Sequence, residues 1–196
     1  MSNLDRPAGF QIWDKLIRAT LYAVPAAPTI NIYHNDIVIH GGAHLVTARG
    51  GPLAIIEDGA VPDGNPGILG SVLAIFDEDM DPVKRIVAAE AGDAVVAGYV
   101  LVADSPDQLF VAQDNGTIAL ASGGMNANLV SVALCAGNAT TGISTQEINA
   151  TGVLQTAALQ LKLVRPHPLD TPATANCRYI VQINEHYYGD TTAGIA

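Results

Sequence analysis

Charged side chains are scarce in this sequence. They make up 14% of the 196 residues, against about 25% in an ordinary soluble domain. Basic residues are scarcer still, with 9 Lys and Arg against 19 Asp and Glu and a formal net charge of −10 at pH 7. No basic run exists, which argues against a general nucleic-acid binder, because such proteins neutralise phosphates with Lys and Arg. Only two cysteines occur, Cys135 and Cys177, so a disulfide-built scaffold is excluded. They read as buried thiols of a reducing compartment, with one pairing left open. The longest apolar stretch near the middle, Ala94 to Ala103, contains Gly98 and is half the roughly 20 residues a membrane helix needs. The opening Met1 to Gly9 has no basic region feeding an apolar one, so no secretory signal is expected. Aromatic residues amount to 5%, with a single Trp.

What is present is apolar and punctuated. Hydrophobic residues reach 49%, with 19 Gly and 11 Pro. That much apolar content excludes general disorder. With so few charges, much of the surface is neutral or apolar, and a partner covering part of it is one answer. Short β-branched segments between dense breakers predict an all-β protein. The expected fold is a small antiparallel β-barrel or sandwich with an extended N-terminal arm or small lobe.

Residues 10–21 read either as a short helix or as an arm lying on a partner. Thr29 to His40 reads as β structure interrupted by a turn at Asn35-Asp36, ending at Gly41-Gly42. Leu53 to Ile56 and Ile68 to Phe76 read as strands, Gly59 to Gly67 as a loop, and Val83 to Ala91 as either strand or helical turn. Ala94 to Ala103 has the continuous apolar character of a strand covered on both faces. The turns Ser105-Pro106-Asp107 and Asn115-Gly116 then predict two or three antiparallel strands over 94–120. Asn128 to Ala136 reads as a strand and Gly137 to Thr151 as a polar, Thr-rich loop or short turn of helix. Val153 to Val164 and Cys177 to His186 alternate with period two, as half-buried strands do. The expected organisation is an N-terminal arm and small β lobe over 1–91, separate from or continuous with a main domain over 92–188, and a mobile tail over 189–196.

Candidate chemistry is sparse. His40 and His44 flank Gly41-Gly42 and would need further ligands, such as Asp36 or Glu185, to hold a metal. Asp77, Glu78, Asp79 and Asp81 lack the spacing of a calcium loop and suit a solvated turn. Cys135 and the serines sit in no nucleophile motif. The Gly pairs are not phosphate loops. Asn115, Asn138 and Asn149 each begin Asn-x-Thr, which reads more simply as turn chemistry. Trp13, Tyr187 and Tyr188 are either interface anchors or ordinary packing. The expectation is no enzyme, no metal and no cofactor.

Four stretches carry a resemblance. They are Arg6-Pro7-Ala8-Gly9-Phe10; Ile68-Leu69-Gly70-Ser71-Val72; Ala97 to Gln113, with its Tyr99-Val100 strand, Asp104-Ser105-Pro106 turn and Phe110 to Gln113 strand; and a C-terminal set. That set comprises Asn126 to Val130, Thr141 to Ile148, Leu159 to Pro166 and Ala175 to His186. Together they resemble a group of small tailed-phage virion proteins, the capsid decoration or head-stabilising proteins of environmental phages. The match is best over about 92–186.

The resemblance implies a β-barrel or related fold, without enzymatic activity, on the outer surface of an icosahedral head. The protein would be made in the host cytoplasm and be part of the virion. Its partners would be the major capsid protein and further copies of itself, a trimer favoured, with no nucleic acid and no membrane. Candidate contact residues are Phe10 and Trp13 in the arm, Ile143 and Gln146 in the 141–148 loop, and Tyr187 and Tyr188. The alternatives are a β-barrel module recognising a glycan or host surface, a phage tail component, and a metal-dependent or cupin-like enzyme using His40 and His44.

Overall fold

The computed structural model describes residues 3–25, 28, 31–46, 52–58, 67–87, 96–119, 122–130, 137–157 and 159–189. Among these the regular elements are all strands: β1 (Gln11–Ile12), β2 (Thr20–Pro25), β3 (Ile32–Tyr33), β4 (Ile37–Val46), β5 (Pro52–Asp58), β6 (Ile68–Phe76), β7 (Arg85–Ile86), β8 (Val96–Ala103), β9 (Leu109–Gln113), β10 (Asn126–Ala127), β11 (Leu161–Pro166) and β12 (Arg178–Ile183). They form three antiparallel sheets. Sheet A has the order β1-β9-β12-β11-β10, sheet B the order β2-β8-β6-β4-β5, and β3 pairs with β7. The all-β expectation holds.

A closed barrel does not form. Sheet B is an open, strongly curled half-barrel. Its ladders carry register shifts at Val24/Pro25, Val38/Ile39, His40/His44 and Val72/Ala74. Each such irregularity bends its strand and increases the local twist. The curl brings the edge strands β2 and β5 near one another, but no ladder joins them.

Two cores follow from this shape. One lies between the sheets, where Phe110, Ala112, Leu161, Leu163, Tyr179, Val181 and Ile183 of sheet A meet Ile37, Ile68 and Ala103 of sheet B. The second includes Tyr22, Val24, Leu69, Val72, Ile75, Val100 and Val102 of sheet B, with Ile32 and Ile86 of the β3–β7 pair. Sheet B is therefore apolar on both faces, which explains the unbroken apolar runs of β6 and β8. Sheet A is covered by its partner on one face. Its strand β12 directs Tyr179, Val181 and Ile183 to the core and leaves Arg178 and Gln182 part-buried, but Ile180 between them is buried as well, so the period-two pattern is kept only in part.

Several local expectations are corrected. No helix forms over 10–21. β1 pairs Gln11 with Val111 and Ile12 with Phe110, Asp14 takes a φ of 70°, and an irregular segment leads to β2. The apolar residues there are spread round any helix axis, so no single helical face could be buried. Gly41-Gly42 does not end β4, which runs on to Val46 through a register shift.

The turn at Ser105-Pro106-Asp107 does form, closed by Gln108 N–H donating to the Ser105 carbonyl at 3.0 Å. It makes no hairpin, because β8 belongs to sheet B and β9 to sheet A. Asn115-Gly116 makes none either. Asp114 instead bridges Ile148 in parallel. Of 153–164, only Leu161 onward is strand. The segments before and after residue 91 share both sheets, since β8 lies between β2 and β6 and β1 pairs with β9. Most of the 59–67 loop, Cys135 and the tail from residue 190 lie outside the described residues. Cys177 is a buried free thiol, pushed up to about 11 first by desolvation and then by Asp114.

The N-terminal segment is clamped onto its own chain. Phe10 N–H donates to the Asn35 carbonyl at 2.8 Å, and the Asn35 side chain donates to the Ala8 carbonyl at 3.0 Å. Ser71 Oγ donates to the Phe10 carbonyl at 2.6 Å. Between them Gly9 sits at φ 67°, where an added Cβ would lie 2.4 Å from the Asn35 carbonyl oxygen. Only glycine meets both conditions at once. The Asn35-Asp36 turn read from the sequence is thus the dock for Ala8-Gly9-Phe10.

A candidate interaction surface

Trp13, Tyr187 and Tyr188 belong to one band of the surface, and the band can be built contact by contact. The segment leading into β2 leaves the sheet at Trp13, whose N–H donates to the Leu109 carbonyl at 2.9 Å. The Trp13 ring meets the His167 ring edge-on at 5.2 Å, and the Arg165 guanidinium lies 6.0 Å from its centroid. Leu169, in the loop after β11, is 85% exposed. Beyond Trp13, Leu16 and Ile17 are also exposed. Ile17 N–H donates to Gln108 Oε1 at 2.9 Å, and Gln108 Nε2 returns a bond to the Lys15 carbonyl at 3.0 Å. The exposed apolar residues here are therefore held by a buried amide.

Arg18 links this segment to the C-terminal end. Its Nε donates to Asp104 Oδ1 at 2.8 Å and a terminal nitrogen donates to the Asp104 carbonyl at 2.6 Å. Its guanidinium lies 5.1 Å from the Tyr188 centroid. Tyr22 donates its hydroxyl to Asp104 Oδ2 at 2.7 Å, and the Tyr22 and Tyr188 hydroxyls meet at 3.3 Å. Burial alone would raise the Asp104 carboxyl, but bonds from Tyr22 and Arg18 outweigh it and hold the group below its usual range. Desolvation and the same carboxylate push the Tyr22 phenol up. Asp104 is thus an ionised, buried anchor for Arg18 and Tyr22, which in turn meet Tyr188 of the C-terminal segment.

The C-terminal segment closes one end of the curled sheet. Ile68 N–H donates to the Glu185 carbonyl at 3.2 Å and Tyr187 N–H donates to the Ile68 carbonyl at 2.8 Å. That pairing places Tyr187 parallel to the His40 ring at 4.3 Å and edge-on to Tyr188 at 5.0 Å. Tyr187 and Tyr188 stay 40% and 50% exposed. Beneath them His186 is fully buried and its Nδ1 accepts from Tyr188 N–H at 3.0 Å. Desolvation pushes its imidazole down to about 4, so it is neutral at physiological pH.

The other predicted contact residues lie elsewhere. Phe10 is fully buried in the inter-sheet core. Gln146 is also buried, and its Oε1 accepts from Ile37 N–H at 2.6 Å. Both side chains are thus packed inside this chain. The 141–148 loop is pinned to the β3–β4 turn through His34 N–H to the Gly142 carbonyl and Ser144 N–H to the His34 carbonyl. Burial alternates along it, and Ile143 is its exposed apolar residue.

His40 is packed on Tyr187, and among the described residues no group of three or more His, Cys, Asp or Glu side chains could hold a metal ion. The acidic run forms a turn, with Asp77 Oδ1 accepting from the amides of Asp79 and Asp81. Sequence reasoning missed Arg18, Asp104 and Leu169. A lone Arg before an apolar strand and a lone Leu between Pro168 and Asp170 were the signals present. No family model matches the chain, and no curated protein or solved structure is similar to it.

Proposed function

We propose that this chain is a non-catalytic structural protein that docks, through the band from Leu169 and Trp13 to Tyr187, on a larger protein surface. In this reading that surface is the outer face of an icosahedral phage head built of major capsid protein, and copies of the chain stabilise the shell, a trimer being the favoured form. The observation that carries it is the set of exposed apolar and aromatic side chains held by hydrogen-bonded terminal segments. Contiguous exposed apolar surface rimmed by polar groups marks interaction sites, and preorganised side chains lose less entropy on binding. The choice of a phage head rests on the resemblance of the sequence. Such a protein acts by linkage: it binds the assembled shell and adds its binding free energy to the shell's stability. Symmetric repetition multiplies a modest contact.

Electron cryomicroscopy of virions that contain the chain tests this reading. Density for it at symmetric positions on the head, with the Trp13–Tyr188 band facing the shell, is the expected result. Density on a tail or fibre, or none, would sink it. A second reading, glycan or host-surface recognition, is favoured by the half-exposed Tyr187–Tyr188 pair beside Arg18. Binding to immobilised glycans, lost in Tyr188→Ala, would support it over shell binding.

A further inference from the structure

Asn115-Gly116 was read as a hairpin turn, and the structure gives it a different setting. Asn115 is exposed between two stretches of backbone. Its N–H donates to the Ile148 carbonyl at 3.0 Å, and the Gly116 carbonyl accepts from Asn176 N–H at 3.1 Å. The side-chain carbonyl Oδ1 accepts from Ala150 N–H at 2.9 Å.

Directly before it, Asp114 is completely buried. Its Oδ1 accepts from Cys177 N–H at 2.9 Å, while Oδ2 has no hydrogen-bond partner. Besides Cys177, the backbone amides of Ile118, Gly116 and Asn176 face this carboxylate. A buried carboxylate oxygen without a partner is costly and calls for a reason.

We propose that Asn115 is a self-modifying site, at which Asp114 assists conversion of Asn115-Gly116 through a cyclic imide to aspartate and isoaspartate. The Gly116 nitrogen attacks Asn115 Cγ, forming the N–Cγ bond. The Gly116 amide proton passes to the Asp114 carboxylate and then to the departing nitrogen. The Cγ–Nδ2 bond breaks and ammonia leaves into solvent. Water then opens the ring at either carbonyl, so the net change is one water taken up and one ammonia lost.

Each part of the site has a role in that sequence. The Ala150 N–H points at the oxygen on which negative charge develops, as an oxyanion-hole donor does. The Asp114 carboxylate, which the Gly116 N–H faces, serves as general base. Gly116 has no side chain to obstruct attack and has the backbone freedom to close the ring. Desolvation raises the Asp114 carboxyl to about 6, so it is ionised at neutral pH and more basic than an exposed carboxylate. The titratable groups around it are the Cys177 thiol, the Tyr179 phenol and Glu147. The product places a new carboxylate beside Asp114, and isoaspartate also lengthens the backbone between the bonds to Ile148 and Asn176.

The test is a time course of the purified full chain near neutral pH, with peptide mass mapping and isoaspartate detection at residue 115. The same chain held unfolded in guanidinium serves as reference. Conversion faster in the folded chain is the expected result. Equal or slower conversion when folded overturns the proposal, because the fold would then protect the site. General-base assistance is worth about 10²-fold or more, so Asp114→Asn slows the folded rate by that factor and leaves the unfolded rate unchanged. An unchanged folded rate in Asp114→Asn also overturns it. If that variant fails to fold, the pH profile of the natural chain decides. Conversion that levels off above about pH 6 supports Asp114 as the base, and a rate proportional to hydroxide overturns it.

Discussion

Phe10 separates the two meanings an N-terminal segment can have. If it is a partner anchor, Phe10→Ala leaves the isolated protein intact. If it is core, the substitution destabilises the protein before any partner is present. The structure puts the ring in the inter-sheet cluster with no exposed area, beside Ile37, Ile68 and Phe110 among others. Removing a buried Phe side chain costs about 3–5 kcal/mol, for lost transfer energy and for the cavity left behind. At roughly 2–4 °C per kcal/mol for a chain of this size, the melting temperature falls by about 6–20 °C.

Urea unfolding followed by fluorescence measures this directly, because Trp13 is the single Trp of the chain and lies three residues from the substitution. Two features should appear together: a lower midpoint, and an altered Trp13 signal in the native state as the segment loosens from Asn35 and Ser71. A change within about 0.5 kcal/mol, the range of ordinary surface substitutions, would refute the placement of Phe10 and restore the anchoring arm.

Three further outcomes follow from the same geometry. Gly9→Ala must hold a Cβ at φ 67° and 2.4 Å from the Asn35 carbonyl oxygen, so it costs at least the roughly 1–3 kcal/mol of backbone strain; calorimetry showing no loss would sink the clamp. Tyr22→Phe removes the hydroxyl that donates to buried Asp104 at 2.7 Å, and a hydrogen bond to a charged group contributes about 1.5–3 kcal/mol; a denaturation midpoint equal to that of the natural protein would show that Arg18 and Thr20 satisfy Asp104 without it.

The third outcome is a pH dependence. His186 falls from 6.5 to about 4 on folding, so its contribution is complete above pH 6.5 and is lost as pH falls toward 4, by about 3 kcal/mol. Asp114 and Glu147 rise to about 6 through desolvation. They penalise the fold above pH 6 and release that penalty as pH falls toward their unfolded values. His186→Gln should therefore turn a shallow profile between pH 7 and 5 into one that gains stability with acid. Identical profiles for variant and parent would refute the assignment to His186.

The strands that were legible are those whose environment is recorded in their own residues. β6 was read with its exact bounds, and β8 was read as strand over all of its described residues, because burial on two faces leaves a continuous apolar signature. β12 was legible by alternation, since Tyr179, Val181 and Ile183 line the core while Arg178 and Gln182 opposite them are only part-buried, although Ile180 on that second face is buried too. The failures share a different cause. Ser105-Pro106-Asp107 and Asn115-Gly116 encode a reversal of direction but not the partner of the strand that follows. Pairing is decided by which edge is free and which face must be buried, and β9 meets that condition in sheet A between β1 and β12. Strands as short as β1, β3, β7 and β10 carry no period at all. The open curl of sheet B depends on bulges, which leave no mark in the pattern of apolar residues beyond an occasional glycine such as Gly70.

Of the candidate contact residues, the aromatics Trp13, Tyr187 and Tyr188 are both packed and surface-exposed. Trp13, Tyr187 and Tyr188 are half of each: they cover His167, Arg18 and His40 and still face solvent. That dual state is itself informative. A side chain free in solution would have to be ordered on binding, whereas these rings are already held by a stacked His, an Arg and backbone bonds. The choice between packing and recognition was therefore false for this band. The same contacts that seal the open end of the curled sheet fix the surface that a partner would meet. Loss of the Arg18–Asp104–Tyr22 link should then loosen both together, so that stability and binding fall in step, whereas trimming exposed Leu169 should weaken binding alone.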